Sequence, residues 1–254
     1  ISKEPIFRDF YQLKRSWDQL SKRINDASYR GLIHSDLDMI KKTVRDLFDS
    51  DIMSIIVDDY GTYQALRSFF SENIPEAFKF LKFHKDTLPL FDLHGIEVDI
   101  GRALHRRVEL PSGGYLIIDQ SEALTSFDVN TGRYVGKVDA RETILKTNLE
   151  ATEKVIEQIR LRNIGGIIII DFIDMEAQED QEKLYQVFQE ASKTDRALTN
   201  VYPVNDLGLI QMTRKRTRES LGRKLLNPCP LCNGHGSIRS PQTEALELIR
   251  EIIR

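Results

Sequence analysis

Apolar positions in the first third of the chain change between helical and strand spacing. In residues 6–28 they recur every three or four positions, from Phe7 and Phe10 to Trp17 and Ile24, which predicts an amphipathic helix. The pattern then predicts a strand at 31–34 and a helix at 37–47 that is capped by Ser35 or Asp36. After these it predicts a buried strand at 53–57, a helix at 63–70 and a strand at 79–83. This α/β segment is predicted to end near Arg107.

The second half is predicted to be richer in strands. A Pro-Ser-Gly-Gly turn at residues 111–114 predicts a hairpin, and Asp139 with Glu142 forms a capping box that opens a helix reaching about Arg162. Four consecutive isoleucines at residues 167–170 predict a central strand buried on both faces. Further strands are predicted at 124–130, 201–202 and 207–212, and further helices at 176–192 and from Ser240-Pro241 onward. The predicted fold class is α/β, in a mixed α+β arrangement.

Composition narrows the class of protein. The chain has 254 residues and a net charge of −3, and its longest apolar run is far shorter than a membrane span. A polyanion partner would therefore need a local patch, and residues 212–218 with Arg223-Lys224 are either such a patch or an ordinary solvated helix face. The first residue is not Met and no leader precedes the fold, so we expect a fragment of a longer protein without a signal peptide.

Candidate metal ligands occur at two predicted strand ends. Asp128 and Asn130 alternate with Phe127 and Val129, so the two polar side chains are predicted to share one face of their strand. Asp171 follows the isoleucine strand, where α/β sheets usually hold ligands. Two aspartates are enough for Mg²⁺, which keeps several waters and binds phosphates. The alternatives are a solvated strand face for Asp128 and helix capping for Asp171 or Asp174, which is more plausible for Asp174.

Cys229 and Cys232 are the only cysteines, spaced C-x-x-C and followed by Gly234 and Gly236. This inventory excludes a disulfide framework and is typical of a reducing, cytosolic-type compartment. The spacing predicts half of a structural zinc site, completed by His235 and another side chain or by the same pair from a second chain. The rival hypothesis, a redox dithiol, would need a helix N-terminus at Cys229. No GxxxxGK[ST] or GxGxxG motif is present.

Several of these segments together resemble one known family, the ribonuclease E/G endoribonucleases of bacteria and plastids. The resemblance is dense from about Leu110 to Gly236. The similar segments are residues 113–119, 128–130, 148–151, 160–166, 171–175 and 229–232.

The resemblance implies a domain organisation. Residues 1–29 would be a helix left from the family's 5′-sensor region, and 30–105 a ribonuclease-H-like subdomain. A deoxyribonuclease-I-like catalytic subdomain would span 106–226. A zinc link would follow at 227–240, and a small dimerisation domain would begin at 241–254.

The resemblance also implies chemistry and partners. Asp128 and Asp171 match the family's Mg²⁺-binding aspartates, Asn130 matches an asparagine that supports the attacking water, and Cys229 and Cys232 match cysteines that share one Zn²⁺ between two protomers. We therefore expect a cytoplasmic, Mg²⁺-dependent endoribonuclease that cleaves single-stranded AU-rich RNA in rRNA and tRNA processing and mRNA decay, leaving 5′-phosphate and 3′-hydroxyl ends. The expected assembly is a homodimer or dimer of dimers through the zinc link. The alternative is a non-catalytic, zinc-linked RNA-binding or scaffold protein.

Overall fold

A computed structural model describes most of the chain, namely residues 3–26, 38–48, 52–132, 140–205, 207–216, 218–234 and 236–253. Helices and a sheet occur together, which confirms the predicted mixed α/β class. The chain divides into two compact units, Ile1–Ile96 and Glu97–Arg254, which are described separately below. The ribonuclease-H-like and deoxyribonuclease-I-like assignments stay predictions.

The first unit is mainly helical. Its elements are α1 (Lys3–Asp26), α2 (Met39–Leu47), β1 (Ile55–Val57), α3 (Tyr60–Asn73), a 3₁₀ helix (Pro75–Phe80), β2 (Leu81–Phe83) and α4 (Leu90–Leu93). The helix predicted at 6–28 is confirmed as far as Asp26, and its last two predicted residues lie outside the described ranges. The strand predicted at 79–83 is wrong in its first two residues, because the 3₁₀ helix that begins at Pro75 includes them. The strand predicted at 31–34 and the cap at Ser35 or Asp36 lie outside the described residues. Asp38 is the N-cap of α2 and accepts a hydrogen bond from the Lys41 backbone N–H.

The second unit is a sheet with two long helices. After α5 (Ile96–Leu104), its strands are β3 (Arg107–Glu109), β4 (Tyr115–Gln120), β5 (Leu124–Asn130), β6 (Gly166–Asp171), β7 (Thr199–Tyr202) and β8 (Leu209–Arg214). Its remaining helices are α6 (Ala140–Leu161), α7 (Gln178–Ser192), α8 (Leu221–Leu225) and α9 (Pro241–Ile253). The predicted hairpin, the strand at 124–130 and the last helix are confirmed. Asp139 of the predicted capping box lies outside the described residues.

The six strands form one sheet in the order β3-β4-β5-β6-β8-β7. Only the central pair, β5 and β6, is parallel, and the other neighbours are antiparallel. Helices α6 and α7 contribute Val155, Ile159, Leu184 and Phe188 to the core that the sheet side chains Phe127, Ile168, Ile170 and Ile210 complete. These two helices cover one face of the sheet, and the alternate side chains on the other face are half-buried or exposed.

This one-sided arrangement contradicts the prediction for the four isoleucines. Ile168 and Ile170 are fully buried, but Ile167 is 51% exposed and Ile169 is half-buried. Side chains alternate between faces along a strand, so a sheet covered on one face buries only every second isoleucine. The prediction that the strand is buried on both faces is therefore wrong, although its central position is confirmed by its pairing with β5 and β8.

The basic stretch at residues 212–218 is not a helix face either. It begins as strand β8, and Arg214 is buried, with its guanidinium bound to Asp195 through Nε at 2.6 Å and Nη2 at 3.1 Å. Arg214 Nη1 also donates to the carbonyl of Ile164. This arginine serves the core, and only the residues after it are available to a ligand. Among the helices in the described ranges, none combines the length and the apolar character needed to cross a membrane.

Candidate metal centre

The two predicted aspartates lie side by side. Asp128 near the end of β5 is the register partner of Asp171 at the end of β6. Because these strands are parallel, both residues lie near the carboxyl edge of the sheet, about 4.8 Å apart in the backbone. Register partners point to the same face, so both carboxylates lie on the face that α6 and α7 leave open. Their other neighbours in this row are Ile117 and Leu209, which carry no charge.

Asn130 belongs to the same cluster. Phe127 and Val129 are buried while Asp128 is exposed, which confirms the predicted alternation along β5. The amide Nδ2 of Asn130 donates a 2.9 Å hydrogen bond to Oδ2 of Asp128. The amide therefore fixes the orientation of the carboxylate.

Negative charge accumulates around Asp171. Partial burial, followed by the charges of Asp128 and Asp174, raises the pKa of the Asp171 carboxyl. The capping alternative for Asp174 is wrong, because α7 begins after Ala177 and no side chain caps it. Asp174 instead adds a third carboxylate to the electrostatic environment of Asp171. A cation placed among these groups would relieve their mutual repulsion.

Asn148 was not predicted as a site residue from its chemistry, although it lies in one of the segments that carry the family resemblance. It is fully buried on α6, and its amide makes two hydrogen bonds to the backbone of Ile173, accepting from the N–H at 3.1 Å and donating to the carbonyl at 2.8 Å. Ile173 lies between Asp171 and Asp174, so Asn148 fixes the segment that carries both carboxylates. The available sequence signal was a polar residue on the same helical stripe as Ala151, Thr152 and Val155.

Basic side chains on the open face already have partners. Arg106 binds Asp119 through both Nε and Nη2, and that hydrogen bond, more than the charge of nearby Asp128, raises the pKa of Arg106. Arg107 stacks its guanidinium 3.7 Å from the centre of the Tyr115 ring, and Tyr115 is the register partner of Asn130. The Asp128–Asp171 pair thus has no hydrogen-bonded cation of its own in the described part of the chain.

Cys229 and Cys232 lie in a turn between α8 and α9. The Gly236 N–H donates to Sγ of Cys232 at 3.4 Å, and backbone N–H groups of Cys232 and Leu231, with the Cys232 side chain, lower the pKa of the Cys229 thiol. Neither cysteine begins a helix, so the placement expected for a redox dithiol is absent. In the ranges that the structure describes, which leave out His235, no group of three or more His, Cys, Asp or Glu side chains could hold a metal.

Comparison with known proteins places the chain in a family. The model of the ribonuclease E/G family matches residues 1–217. The chain is 43% identical to ribonuclease G of Escherichia coli strain K12 over 254 residues, which is 100% of this chain and 52% of that protein. It is 40% identical to ribonuclease G of Haemophilus influenzae over 253 residues, with the same two coverages. It is also 36% identical to ribonuclease E of a Synechocystis species over 242 residues, which is 94% of this chain and 36% of that protein. The chain thus spans about half the length of the ribonuclease G relatives, and it belongs to the ribonuclease E/G family.

Proposed function

We propose that the protein is a Mg²⁺-dependent endoribonuclease that hydrolyses single-stranded RNA at the Asp128–Asp171 pair and leaves 5′-phosphate and 3′-hydroxyl ends. The observation that carries the proposal is the register pairing of these two aspartates on the open face of the sheet. Membership of a family of ribonucleases supports RNA as the substrate. An exposed sheet face gives a single RNA strand access to both carboxylates.

The residues fit Mg²⁺ better than a metal held only by protein ligands. Among the described residues no third carboxylate joins this pair in coordinating range, so most positions of an octahedral ion would be left to waters and phosphate oxygens. After partial burial, the negative charges of Asp128 and Asp174 also raise the pKa of Asp171, and a divalent cation at this place would relieve the repulsion among these carboxylates. The hydrogen bond from Asn130 holds the Asp128 carboxylate in one orientation.

The chain's own residues then have distinct roles. Asp128 and Asp171 would hold the ion, and Asn130 would position Asp128 and support the attacking water. Asn148 would keep Asp171 and Asp174 in place by holding the Ile173 backbone. Bound Mg²⁺ supplies charge neutralisation at the phosphodiester and a lowered pKa for water.

The test is the substitution Asp171→Asn in the full-length protein. It keeps the size of the side chain but removes one of the two proposed ligand charges, so cleavage of a single-stranded RNA should fall by at least about 100-fold. Asp119→Asn is the matched control, because Asp119 is exposed on the same sheet face but is paired with Arg106. The control should cleave within threefold of the wild type.

Cleavage should also require added Mg²⁺, and mass spectrometry of the products should find 5′-phosphate and 3′-hydroxyl ends. Activity of Asp171→Asn within tenfold of the wild type would refute the assignment of this site. RNA binding without any Mg²⁺-dependent cleavage by the wild type would favour the alternative, a zinc-linked RNA-binding or scaffold protein.

We further propose that Cys229 and Cys232 provide half of a Zn²⁺ site shared by two protomers. The tight turn supports this, because Asn233 and Gly234 adopt positive φ values of 50° and 85° and a backbone N–H faces Sγ of Cys232. Two thiolates are too few for a structural zinc, so a second copy of the turn would complete a four-thiolate site and link the chains as a homodimer or dimer of dimers.

The finer biological assignment rests on the family. We propose AU-rich single-stranded segments as the preferred targets, with roles in rRNA and tRNA processing and mRNA decay. A cytoplasmic location would suit both the RNA substrates and two unoxidised thiols.

A further inference from the structure

A cleft in the second unit is lined by arginines and lies away from Asp128 and Asp171. Its volume is about 320 Å³. Its polar lining consists mainly of six side chains: Gln120, Asn163, Arg216, Arg218, Glu219 and Arg223. Three positive charges and one negative charge give the lining a net charge of +2, in a chain whose net charge is −3.

The cleft lies at the opposite end of the central strands from Asp128 and Asp171. Gly165 lines it, and the next residue, Gly166, begins β6, whereas Asp171 ends that strand. Five residues of strand separate Gly166 from Asp171, a distance of about 17 Å. A strand that keeps the rise of one strand of a duplex, about 3.4 Å per nucleotide, would span that distance with about five nucleotides.

Arg216 is built into this end of the sheet. Its Nε donates to the Gly165 carbonyl at 3.1 Å, and its side chain lies over the glycine pair. A Cβ on Gly165 would come within 2.9 Å of Arg216 Cγ, and one on Gly166 within 2.7 Å of Arg216 Nη2. Gly166 also has a φ of +97°, which other residues rarely adopt. The glycine pair therefore provides the space that holds this guanidinium against the backbone.

The rest of the lining is fixed at its base and charged at its mouth. Asn163 donates to the carbonyls of Arg218 and Glu219, and the buried Ser220 donates to the side-chain oxygen of Gln120 at 3.2 Å. The side chains of Arg218 and Arg223 are exposed and have no ion-pair or hydrogen-bond partner within the described residues. Two arginines without ion-pair partners in the described residues, beside fixed polar side chains and outnumbering the single acid Glu219, are typical of a site for phosphate oxygens.

We infer that this cleft binds a backbone phosphate of the single-stranded RNA about five nucleotides from the bond that is cleaved. The inference rests on the proposed function, because it takes the strand that reaches Asp128 and Asp171 to continue along β6 to the cleft. Arg218 and Arg223 contact the phosphate oxygens, and Arg216 adds fixed positive charge. The site adds affinity and sets the length of substrate that binds well, while the chemistry stays at the aspartates.

The first experiment measures the salt dependence of RNA binding in buffer without Mg²⁺. The double variant Arg218→Gln/Arg223→Gln should lower the slope of log K against log salt by about 1.4, which is two contacts at about 0.7 each. Between 50 and 200 mM salt, the wild type should therefore lose about sevenfold more affinity than the variant. Arg250→Gln on the exposed helix α9 is the matched control and should leave the slope unchanged.

A variant of opposite sign guards against a simple folding defect. Glu219→Gln removes the one acid from the lining and should strengthen binding and steepen the slope, which a damaged fold would not do. An unchanged slope in the double variant, or weaker binding in Glu219→Gln, would overturn the inference.

The second experiment locates the contact on the RNA. A series of oligonucleotides carries one uncharged methylphosphonate linkage at successive positions on either side of the cleavage point. A methylphosphonate about five nucleotides from the cleavage point should weaken binding to the wild type. It should not weaken binding to the double variant any further, because the two changes remove the same contact. Additive effects at every position would overturn the inference.

Cleavage assays keep the two proposals apart. On an oligonucleotide too short to reach the cleft, the double variant should cleave at the wild-type rate. Loss of cleavage by Asp171→Asn with no effect of the double variant on binding would refute the cleft alone. If the double variant lowered the salt dependence of RNA binding but the wild type never cleaved RNA, only the proposed function would be refuted.

Discussion

Replacement of Asn148 by leucine tests whether a buried amide on α6 holds the proposed metal ligands in place. Leucine has the same branched arrangement of four side-chain heavy atoms as asparagine, although its methyl groups are bulkier, and it neither donates nor accepts a hydrogen bond. In the wild type, the amide satisfies both the N–H and the carbonyl of Ile173, between Asp171 and Asp174. The substitution therefore removes both partners of one peptide segment without opening a large cavity.

The structure bounds the cost. Leaving a buried donor or acceptor without a partner costs about 1–3 kcal/mol, so two such groups cost about 2–6 kcal/mol if the segment stays in place. If the segment moves so that water reaches Ile173, the loss of stability is smaller, but Asp171 moves with it. A displacement of about 1 Å at a catalytic group costs about 100-fold in rate. Asn148→Leu should therefore lose stability, catalytic rate or both.

Two assays on the same samples separate these outcomes. Hydrogen exchange of the segment after β6 reports its local opening, and single-turnover cleavage at saturating RNA reports the rate as a function of Mg²⁺ concentration. Thr152→Val is the matched control, because Thr152 is buried one turn along the same helix and bonds only to the Asn148 carbonyl. Asn148→Leu with a stability loss below about 1 kcal/mol and a rate within threefold of the wild type would show that the amide does not position the site.

Two further predictions concern charge and zinc. Asp195→Asn leaves Arg214 buried without a countercharge, so the free energy of unfolding should fall by about 3–5 kcal/mol. Burial opposes ionisation of Asp195, but its hydrogen bonds with Arg214 and the Ala197 N–H lower the pKa of its carboxyl. The ion pair therefore stabilises the fold fully above pH ~4, and this stabilisation is lost as the pH falls through the lowered pKa. If urea denaturation gave Asp195→Asn the same pH dependence of unfolding free energy as the wild type, this prediction would be contradicted. The wild type should contain one zinc for every two chains, whereas Cys232→Ser should lose zinc and shift towards monomer in sedimentation. One zinc per chain in a monomeric wild type would instead favour an intrachain site with His235.

Local patterns were enough to predict most elements of the second unit. The hairpin turn, the alternation along β5 and the start of α9 each depend on a few neighbouring residues, and each is confirmed. The same alternation correctly placed Asp128 and Asn130 on one face. The position of Asp171 at the end of a strand indicated that it would lie near them. The exact register of Asp128 with Asp171 depends on the pairing of two distant strands, which no local pattern contains.

The basic stretch shows where composition misleads. Seven consecutive residues contain four cations, yet Arg214 is buried in an ion pair while Arg216 and Arg218 line a cleft. The difference comes from Asp195, nineteen positions earlier in the chain, and from the glycine pair beneath Arg216. Both determinants are distant in sequence, so the two alternatives predicted for this stretch, an anion site or a solvated helix face, did not include a buried structural role.

The wrong prediction for the isoleucines and the accessibility of the aspartates have one physical cause. Four consecutive apolar residues indicated that β6 is buried on both faces, but the described helices of this unit cover only one face, and Ile167 and Ile169 lie on the other. Asp171 has the same strand parity as Ile167 and Ile169, so it shares their open face. A second covering layer would have buried Asp128 and Asp171 together, with a large desolvation penalty and no path for a polyanion. The exposed isoleucines and the accessible aspartates thus follow from the same uncovered face of the sheet.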